Sequence, residues 1–186
     1  MYRVQDEVSL LRASLEGETE AWGEVVIRYK EAVFGLCLGF LRNRADAEDI
    51  THDTFIRAYE NLRRYRLEKR FSTWIFTIAS NLCRNRLRHR RYHPVISPSD
   101  PVSGGLDPAV IVAQEDRWTR VREGLDVLPY GYRAPLILRY YNDLSYREIA
   151  EVLSLPEGTV KTRIHRGKVM LKQAIEKDGV IHYERG

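Results

Sequence analysis

Apolar residues recur at helical spacing along most of this chain, and one stretch, Tyr92 to Asp107 (YHPVISPSDPVSGGLD), breaks the pattern completely. It carries Pro94, Pro98, Pro101, the pair Gly104-Gly105 and three serines. Proline removes a backbone donor and fixes φ, and glycine raises the entropy of the unfolded backbone, so neither a helix nor a packed core can run through it. The chain is therefore expected to form two small helical bodies joined by a flexible linker. The expected division is residues 1–92, a linker at 93–107, and residues 108–186. A length of 186 residues suits one medium domain or two small ones. No segment alternates convincingly at period two, so the fold class is all-α, with the second body a helix-turn-helix domain.

Upstream of the break, a short helix around Val8–Leu15 precedes a long one. In the long helix Trp22, Val25, Val26, Tyr29, Val33, Leu36, Cys37, Phe40 and Leu41 step by three or four. Asn43 and Arg44 interrupt it. Asp46 is expected to cap the next helix, with Glu48 and Asp49 in its first turn and Ile50, Thr54, Ala58 and Leu62 inward. Arg63–Arg70 reads as a loop, and Ser72 as the cap of a helix whose inner face is Ile75, Ile78 and Leu82. Downstream, Asp107-Pro108 opens a helix carrying Trp118, Val121, Leu125 and Leu128, which Pro129 ends. A helix over Tyr132–Asn142 follows, with Pro135 tolerable only if it falls in the first turn.

Composition excludes several classes. With 44% hydrophobic and 30% charged residues the chain can bury a core and stay soluble. No apolar run is long enough for a membrane span. The opening MYRVQDEVSL has acids where a secretory signal needs an apolar stretch, so a cytoplasmic location is expected. Cys37 and Cys83 are too few for a disulfide framework and sit in apolar helical patterns, as core thiols do. Five scattered histidines, no Gly-x-Ser-x-Gly, no phosphate-binding loop and no dinucleotide fingerprint leave no catalytic constellation. The chain is not expected to be an enzyme or to carry a cofactor.

The net charge of +4 hides a sharp partition. Residues 1–56 sum to −5, 57–91 to +9, 92–128 to −3 and 129–186 to +3. Alternating blocks of this kind suggest separate surfaces for separate partners. In the acidic block Asp46, Asp49 and Asp53 fall at i, i+3 and i+7, with His52 and Ile56 beside them. That stripe suits a basic helical partner, although a merely solvated face has the same pattern. Asp49-x-x-His52 also has metal-ligand spacing, but a di-metal bundle needs a second copy, and the sequence has none, so no metal is expected.

In the basic block, Asn81–Arg91 (NLCRNRLRHRR) places five arginines in eight residues. Arg84, Arg88 and Arg91 share one side with Asn81 and Asn85. Such a run repels itself unless a polyanion neutralises it. Just before it lie Arg63, Arg64, Tyr65, Arg66 and Phe71, with Trp74 beyond. Arginines interleaved with aromatics suit single-stranded nucleic acid, where phosphates pair and bases stack. Trp74 reads better as a core anchor. Tyr65 and Phe71 fit either role.

The most specific local signal is Leu144–Leu171 (LSYREIAEVLSLPEGTVKTRIHRGKVML). Ser145-x-x-Glu148 is a capping box opening a short helix, Tyr146–Leu153. A tight turn follows, and Thr159 begins a second helix with Val160, Ile164, Leu171 and Ile175 inward. Ile149, Ala150, Leu153, Val160 and Ile164 form the packing set of a helix-turn-helix, with Ala150 small at the expected close approach. Lys161, Thr162, His165 and Arg166 share the outward face of the second helix, opposite Val160 and Ile164; such a helix can enter a major groove, although an ordinary helical hairpin with a solvated basic face has the same pattern.

Taken in order, these parts resemble the extracytoplasmic-function sigma factors, the smallest bacterial sigma-70 class. The likeness spans about residues 7–175. Asp46-Ala47-Glu48-Asp49-Ile50 through Phe55 and Phe71-Ser72-Thr73-Trp74-Ile75 through Asn81 match the family's first conserved domain. Leu128-Pro129, Leu138-Arg139-Tyr140, Leu144-Ser145-Tyr146 with Glu148-Ile149-Ala150, and Gly158-Thr159-Val160-Lys161 through Arg166 match its second. The resemblance implies a non-enzymatic initiation factor with two principal partners, core RNA polymerase and promoter DNA, and an anti-sigma factor as antagonist. Asp46, Glu48, Asp49, His52, Asp53 and Phe55 would dock on the large polymerase subunit. Arg63, Arg64, Tyr65, Arg66, Phe71, Asn81, Arg84, Arg88 and Arg91 would bind the minus-ten element. Thr159, Lys161, Thr162, Arg163, His165 and Arg166 would read the minus-thirty-five element. His52 stands where the family often has glutamine, which adds a titratable group to the docking stripe.

Overall fold

The computed structural model describes residues 4–92, 121 and 124–183, with side chains placed for 7–90, 121 and 124–176. The expected linker at 93–107, the Asp107-Pro108 helix start, Trp118 and the side chain of Arg91 lie outside those residues. Every described element is helical: α1 (Val4–Leu15), α2 (Thr19–Leu41), α3 (Arg44–Glu60), a 3-10 turn (Leu62–Arg64), α4 (Phe71–Tyr92), α5 (Tyr130–Tyr140), α6 (Tyr146–Leu153) and α7 (Glu157–Tyr183). The chain divides into two compact units, one built on α1 to α4 and the other on α5 to α7.

In the first unit α2 is the central helix and packs on both α1 and α4. Its buried side is Ala21, Val25, Val33, Leu36, Cys37, Phe40 and Leu41; of the stripe that the sequence spacing predicts, Trp22, Val26 and Tyr29 are only half-buried, and Ala21 is added. Gly17, at φ +98°, turns the chain between α1 and α2, a conformation that costs glycine little. Thr51 and Thr54 are buried on α3, and their hydroxyls donate to the Ala47 and Ile50 carbonyls of their own helix, each at 2.6 Å. Two expected caps are corrected. α3 begins at Arg44, so Asp46 sits inside its first turn. α4 begins at Phe71, so Ser72 is already helical. The inner side of α4 is Phe71, Ile75, Phe76, Ala79, Leu82 and Cys83, whereas Ile78 is only half-buried.

Aromatic packing joins three helices and one loop in this unit. Phe71 is fully buried, with ring centroids of Tyr29 at 5.2 Å, Tyr65 at 5.4 Å, Trp74 at 5.6 Å and Trp22 at 6.5 Å. Trp22 also meets Phe55 edge-on at 6.4 Å and Tyr59 at 5.3 Å. Each edge-to-face pair adds roughly 0.5–1.5 kcal/mol to the area it buries.

In the second unit the capping box forms as expected. Ser145 Oγ accepts from the Glu148 amide at 3.3 Å, and the Ser145 amide donates to Glu148 Oε2 at 2.8 Å. α7 begins at Glu157, two residues before the expected Thr159. Pro135 lies in the second turn of α5, not the first. Its missing N–H leaves the Gly131 carbonyl without the usual helical donor. Asp143, at φ +53°, carries the chain out of α5 toward α6. Arg133 is buried in α5 and donates from Nη1 to the Leu128 carbonyl at 3.1 Å, while burial lowers its pKa to about 10.

Replacing the hub ring tests how far the first unit depends on it. Phe71→Ala should cost about 3–5 kcal/mol in chemical unfolding of the chain. A loss below about 1 kcal/mol would mean that the cluster closes around the gap.

Candidate functional site

The sequence-predicted residues of the first unit fall into two groups once folded. On α3, Glu48, Asp49 and His52 are exposed and Asp53 is half-exposed, with Ile56 and Tyr59 exposed along the same helix. An acidic face with an apolar margin is therefore open to a partner. Asp46 and Phe55 point the other way. Phe55 is 7% exposed against Trp22. Asp46 is nearly as buried, and its carboxylate takes Arg86 Nη1 at 2.7 Å and a guanidinium nitrogen of Arg90.

The basic loop divides in the same way. Arg63, Arg64 and Arg66 are exposed, whereas Tyr65 and Phe71 are core residues of the aromatic cluster. The Tyr65 hydroxyl donates to the Lys69 carbonyl, which ties the loop back on itself. Burial first, and the charges of Glu7 and Glu68 second, push that hydroxyl up to about 12, so it stays protonated at neutral pH. The ring that reads as a core anchor in the sequence, Trp74, is the half-buried one, and Phe71 is the anchor. On α4, Asn81, Arg84 and Arg88 are exposed on one side, and the two asparagine side chains Asn81 and Asn85 accept from Arg84 and Arg88 at 3.4 Å.

Cys37 and Cys83 are buried and free. The hydrogen bond to Cys37, with burial, pushes the Cys83 thiol well above its ordinary value, so it is no nucleophile. Among the described residues no group of three or more His, Cys, Asp or Glu side chains is arranged to hold a metal.

In the second unit Lys161, Thr162, His165 and Arg166 are exposed on the first turns of α7, opposite buried Val160 and Ile164. Thr159 and Arg163 are half-exposed and line a cleft of about 290 Å³ with Tyr132, Gly158, Thr162 and Arg166. The open amides at this helix start and the surrounding cations suit phosphate oxygens. Lys161 is held by Glu157 at 2.9 Å and lies 5.9 Å from the Tyr146 ring centroid. Arg139 lies over the same ring at 5.3 Å and donates to the Leu144 carbonyl at 2.9 Å. Arg139 and Tyr146 thus extend the basic face, and sequence reasoning gave them no part in it. Their signal in the sequence was membership of the motifs that match the second domain, Leu138-Arg139-Tyr140 and Leu144-Ser145-Tyr146.

A second close helix approach, between α5 and α7, carries no signal in the helix-turn-helix pattern. Ala150 is only half-buried. Gly167 is a tight contact between α7 and α5: a Cβ there would stand 3.0 Å from Leu136 Cδ1 and 3.3 Å from the Tyr132 carbonyl. It continues the inward line of Val160 and Ile164, which is what seats α7 against α5.

Comparison with known proteins identifies this arrangement. The sigma-70 region 2 family matches residues 25–92, and the sigma-70 region 4 family matches residues 119–171. The ECF RNA polymerase sigma factor SigW of Bacillus subtilis (strain 168) is 34% identical over 171 residues, 86% of this chain and 91% of that protein. The chain belongs to the ECF RNA polymerase sigma factors. Like its family, this sigma factor binds core RNA polymerase and promoter DNA and directs transcription initiation, and it is not an enzyme. The solved structure of CnrH in complex with the cytosolic domain of CnrY is similar, with a TM-score of 0.71 and 25% identity over 93% of this chain and 99% of that one. The sigma factor RpoE of Bartonella quintana, solved with the anti-sigma factor NepR, shares the fold at a TM-score of 0.64 and 21% identity, over 83% of this chain and 96% of that one. No described helix of this sigma factor is long and apolar enough to cross a membrane.

Filling the tight contact should disturb the second unit. Gly167→Val is expected to cost about 1–3 kcal/mol through overpacking against Leu136 and the Tyr132 backbone. Thermal unfolding measures it, and an unchanged midpoint would show that α5 and α7 separate freely.

Proposed function

We propose that this sigma factor works through three surfaces carried on the division 1–92, 93–107 and 108–186. The open side of α3 docks on the large polymerase subunit through Glu48, Asp49, His52 and Asp53, with Ile56 and Tyr59 as its apolar margin. The cationic loop at Arg63, Arg64 and Arg66 and the outward side of α4, Asn81, Arg84 and Arg88, hold the minus-ten element. The start of α7, through Thr159, Lys161, Thr162, Arg163, His165 and Arg166, reads the minus-thirty-five element, with Arg139 and Tyr146 at its flank. The observation that carries this reading is the separation of charge within one small unit. Acids stay at the surface of α3, while arginines stay at the surface of the loop and of α4. A protein that bound duplex DNA alone would gain nothing from the acidic face.

Burial of Tyr65 and Phe71 shapes the proposed melting step. The loop contributes cations on a rigid aromatic base, not two free stacking rings. Trapping unstacked bases of the non-template strand costs a few kcal/mol, which phosphate contacts of this loop and of α4 offset. The chain acts in the cytoplasm, where the polymerase is. An anti-sigma factor is its antagonist, a reading supported by the Bartonella quintana sigma factor, whose solved structure holds one.

Reversing one charge at the centre of the docking face tests the first surface. Asp49→Arg should weaken binding to core polymerase by at least about 30-fold, a like-charge penalty on the order of 2 kcal/mol, without changing the unfolding curve. Undiminished co-purification with core would count against docking through α3. At the other end, Arg166→Ala should cost about 1–3 kcal/mol at the upstream element, with core binding unchanged. Equal transcription from promoters with and without an intact upstream element would refute the role given to α7.

A further inference from the structure

The five arginines of α4 do not form one surface. At about 100° per residue, Arg86 and Arg90 lie roughly 200° round the helix from Arg84 and Arg88. The structure gives that second pair a partner, Asp46 in the first turn of α3, forty positions earlier in the chain than Arg86. Oδ1 takes Arg86 Nη1 at 2.7 Å, and Oδ2 pairs with Arg90. The Asp46 side chain is 13% exposed, against 34% and 44% for the two arginines, so the acid is the sheltered member of the trio. Leu82 and Cys83 are the last fully buried apolar residues of α4 among those described, and beyond them this carboxylate adds a polar tie to the unit beside half-buried Leu87. Like charges at i and i+4 weaken a helix, and α4 has two such pairs, Arg84 with Arg88 and Arg86 with Arg90. Asp46 offsets the second pair and leaves the first facing outward.

We propose that Asp46 is a positioning residue for promoter binding and makes no contact with polymerase: by gripping Arg86 and Arg90 it fixes the rotation of the distal half of α4 so that Arg84 and Arg88 face the minus-ten strand. The proposal rests on the assignment of α4 to that element. It also joins the two functions of the first unit, because the acid sits at the start of the helix that carries the docking face. Displacement of α3 by its partner would reach the DNA-facing helix directly through this grip.

The experiment uses the full chain carrying Asp46→Asn, with Asp46→Glu as the conservative variant. Three quantities are read: affinity for core polymerase, affinity of the reconstituted holoenzyme for a labelled single strand bearing the minus-ten sequence, and amide hydrogen exchange along α4 in the free chain. In Asp46→Asn, core affinity should stay within about 2-fold while strand affinity falls by about 5- to 10-fold. Exchange over residues 84–90 should accelerate by about 10-fold, with residues 71–82 unchanged. Asp46→Glu should restore most of both losses. Loss of core affinity with strand affinity intact would overturn the proposal and make Asp46 a polymerase contact. Unchanged exchange at 84–90 would overturn it without reference to polymerase. Should Asp46→Asn fail to fold, Arg86→Gln with Arg90→Gln releases the same grip from the other side. That pair must then loosen residues 84–90 and spare core affinity, and protected amides there would overturn the proposal. A wild-type chain that does not bind core would overturn both this proposal and the reading beneath it, whereas normal core binding with no strand affinity would strike the α4 assignment alone.

Discussion

Phe71 is where the first unit is tied together. It opens α4, is wholly buried, and is touched by rings from α2, from the loop and from its own helix. It is one of two rings on α4, the other being Trp74 at 5.1 Å, against which Tyr65 and so the loop with its exposed arginines is held. The Tyr65 hydroxyl, held by the Lys69 carbonyl, closes the same loop from within. A mobile cationic loop can bind a polyanion, but it cannot hold one strand in one register. The aromatic cluster supplies that rigidity, because rings carry large buried area with few rotatable bonds.

Electrostatics then divides the unit. A chain carrying +9 between residues 57 and 91 would repel itself if every cation faced one way. Folding spreads those charges over the loop, the outward side of α4 and the grip on Asp46. Only part of the basic block is therefore presented to a partner, and the salt dependence of promoter binding will reflect the presented arginines, not the sum. In the second unit the same economy appears on a smaller scale. Lys161 shares its charge with Glu157 and the Tyr146 ring, and Arg139 lies on that ring as well. Exposed pairs of this kind contribute little to stability, but they restrict where the cations point.

The helices were legible in the sequence wherever apolar residues recur every three or four positions. The buried stripe of α2, the capping box of α6 and the inward Val160 and Ile164 all follow from spacing alone. Helix starts were less legible. Asp46 and Ser72 have capping side chains, but the helices begin before them, at Arg44 and Phe71, because a local capping preference is a weak prior that does not by itself fix where a helix starts. Gly167 shows the same limit. It is a small residue on a helix, and that it meets Leu136 and Tyr132 depends on how α5 crosses α7.

For the site, the sequence by itself determined which residue types are available and in which blocks, and its motifs carried the family. Charge, hydrogen-bonding capacity and helical period are local properties, so a one-dimensional reading recovers them. Only the tertiary structure decided which members of each block lie at the surface. It withdrew Asp46, Phe55, Tyr65 and Phe71 into the unit, left Asp49 and Arg84 outside, and brought Arg139 and Tyr146 beside Lys161. Those outcomes depend on contacts between residues far apart in the chain. An ion pair spanning forty positions, or one ring surrounded by four others, leaves no periodic trace in the sequence that produces it.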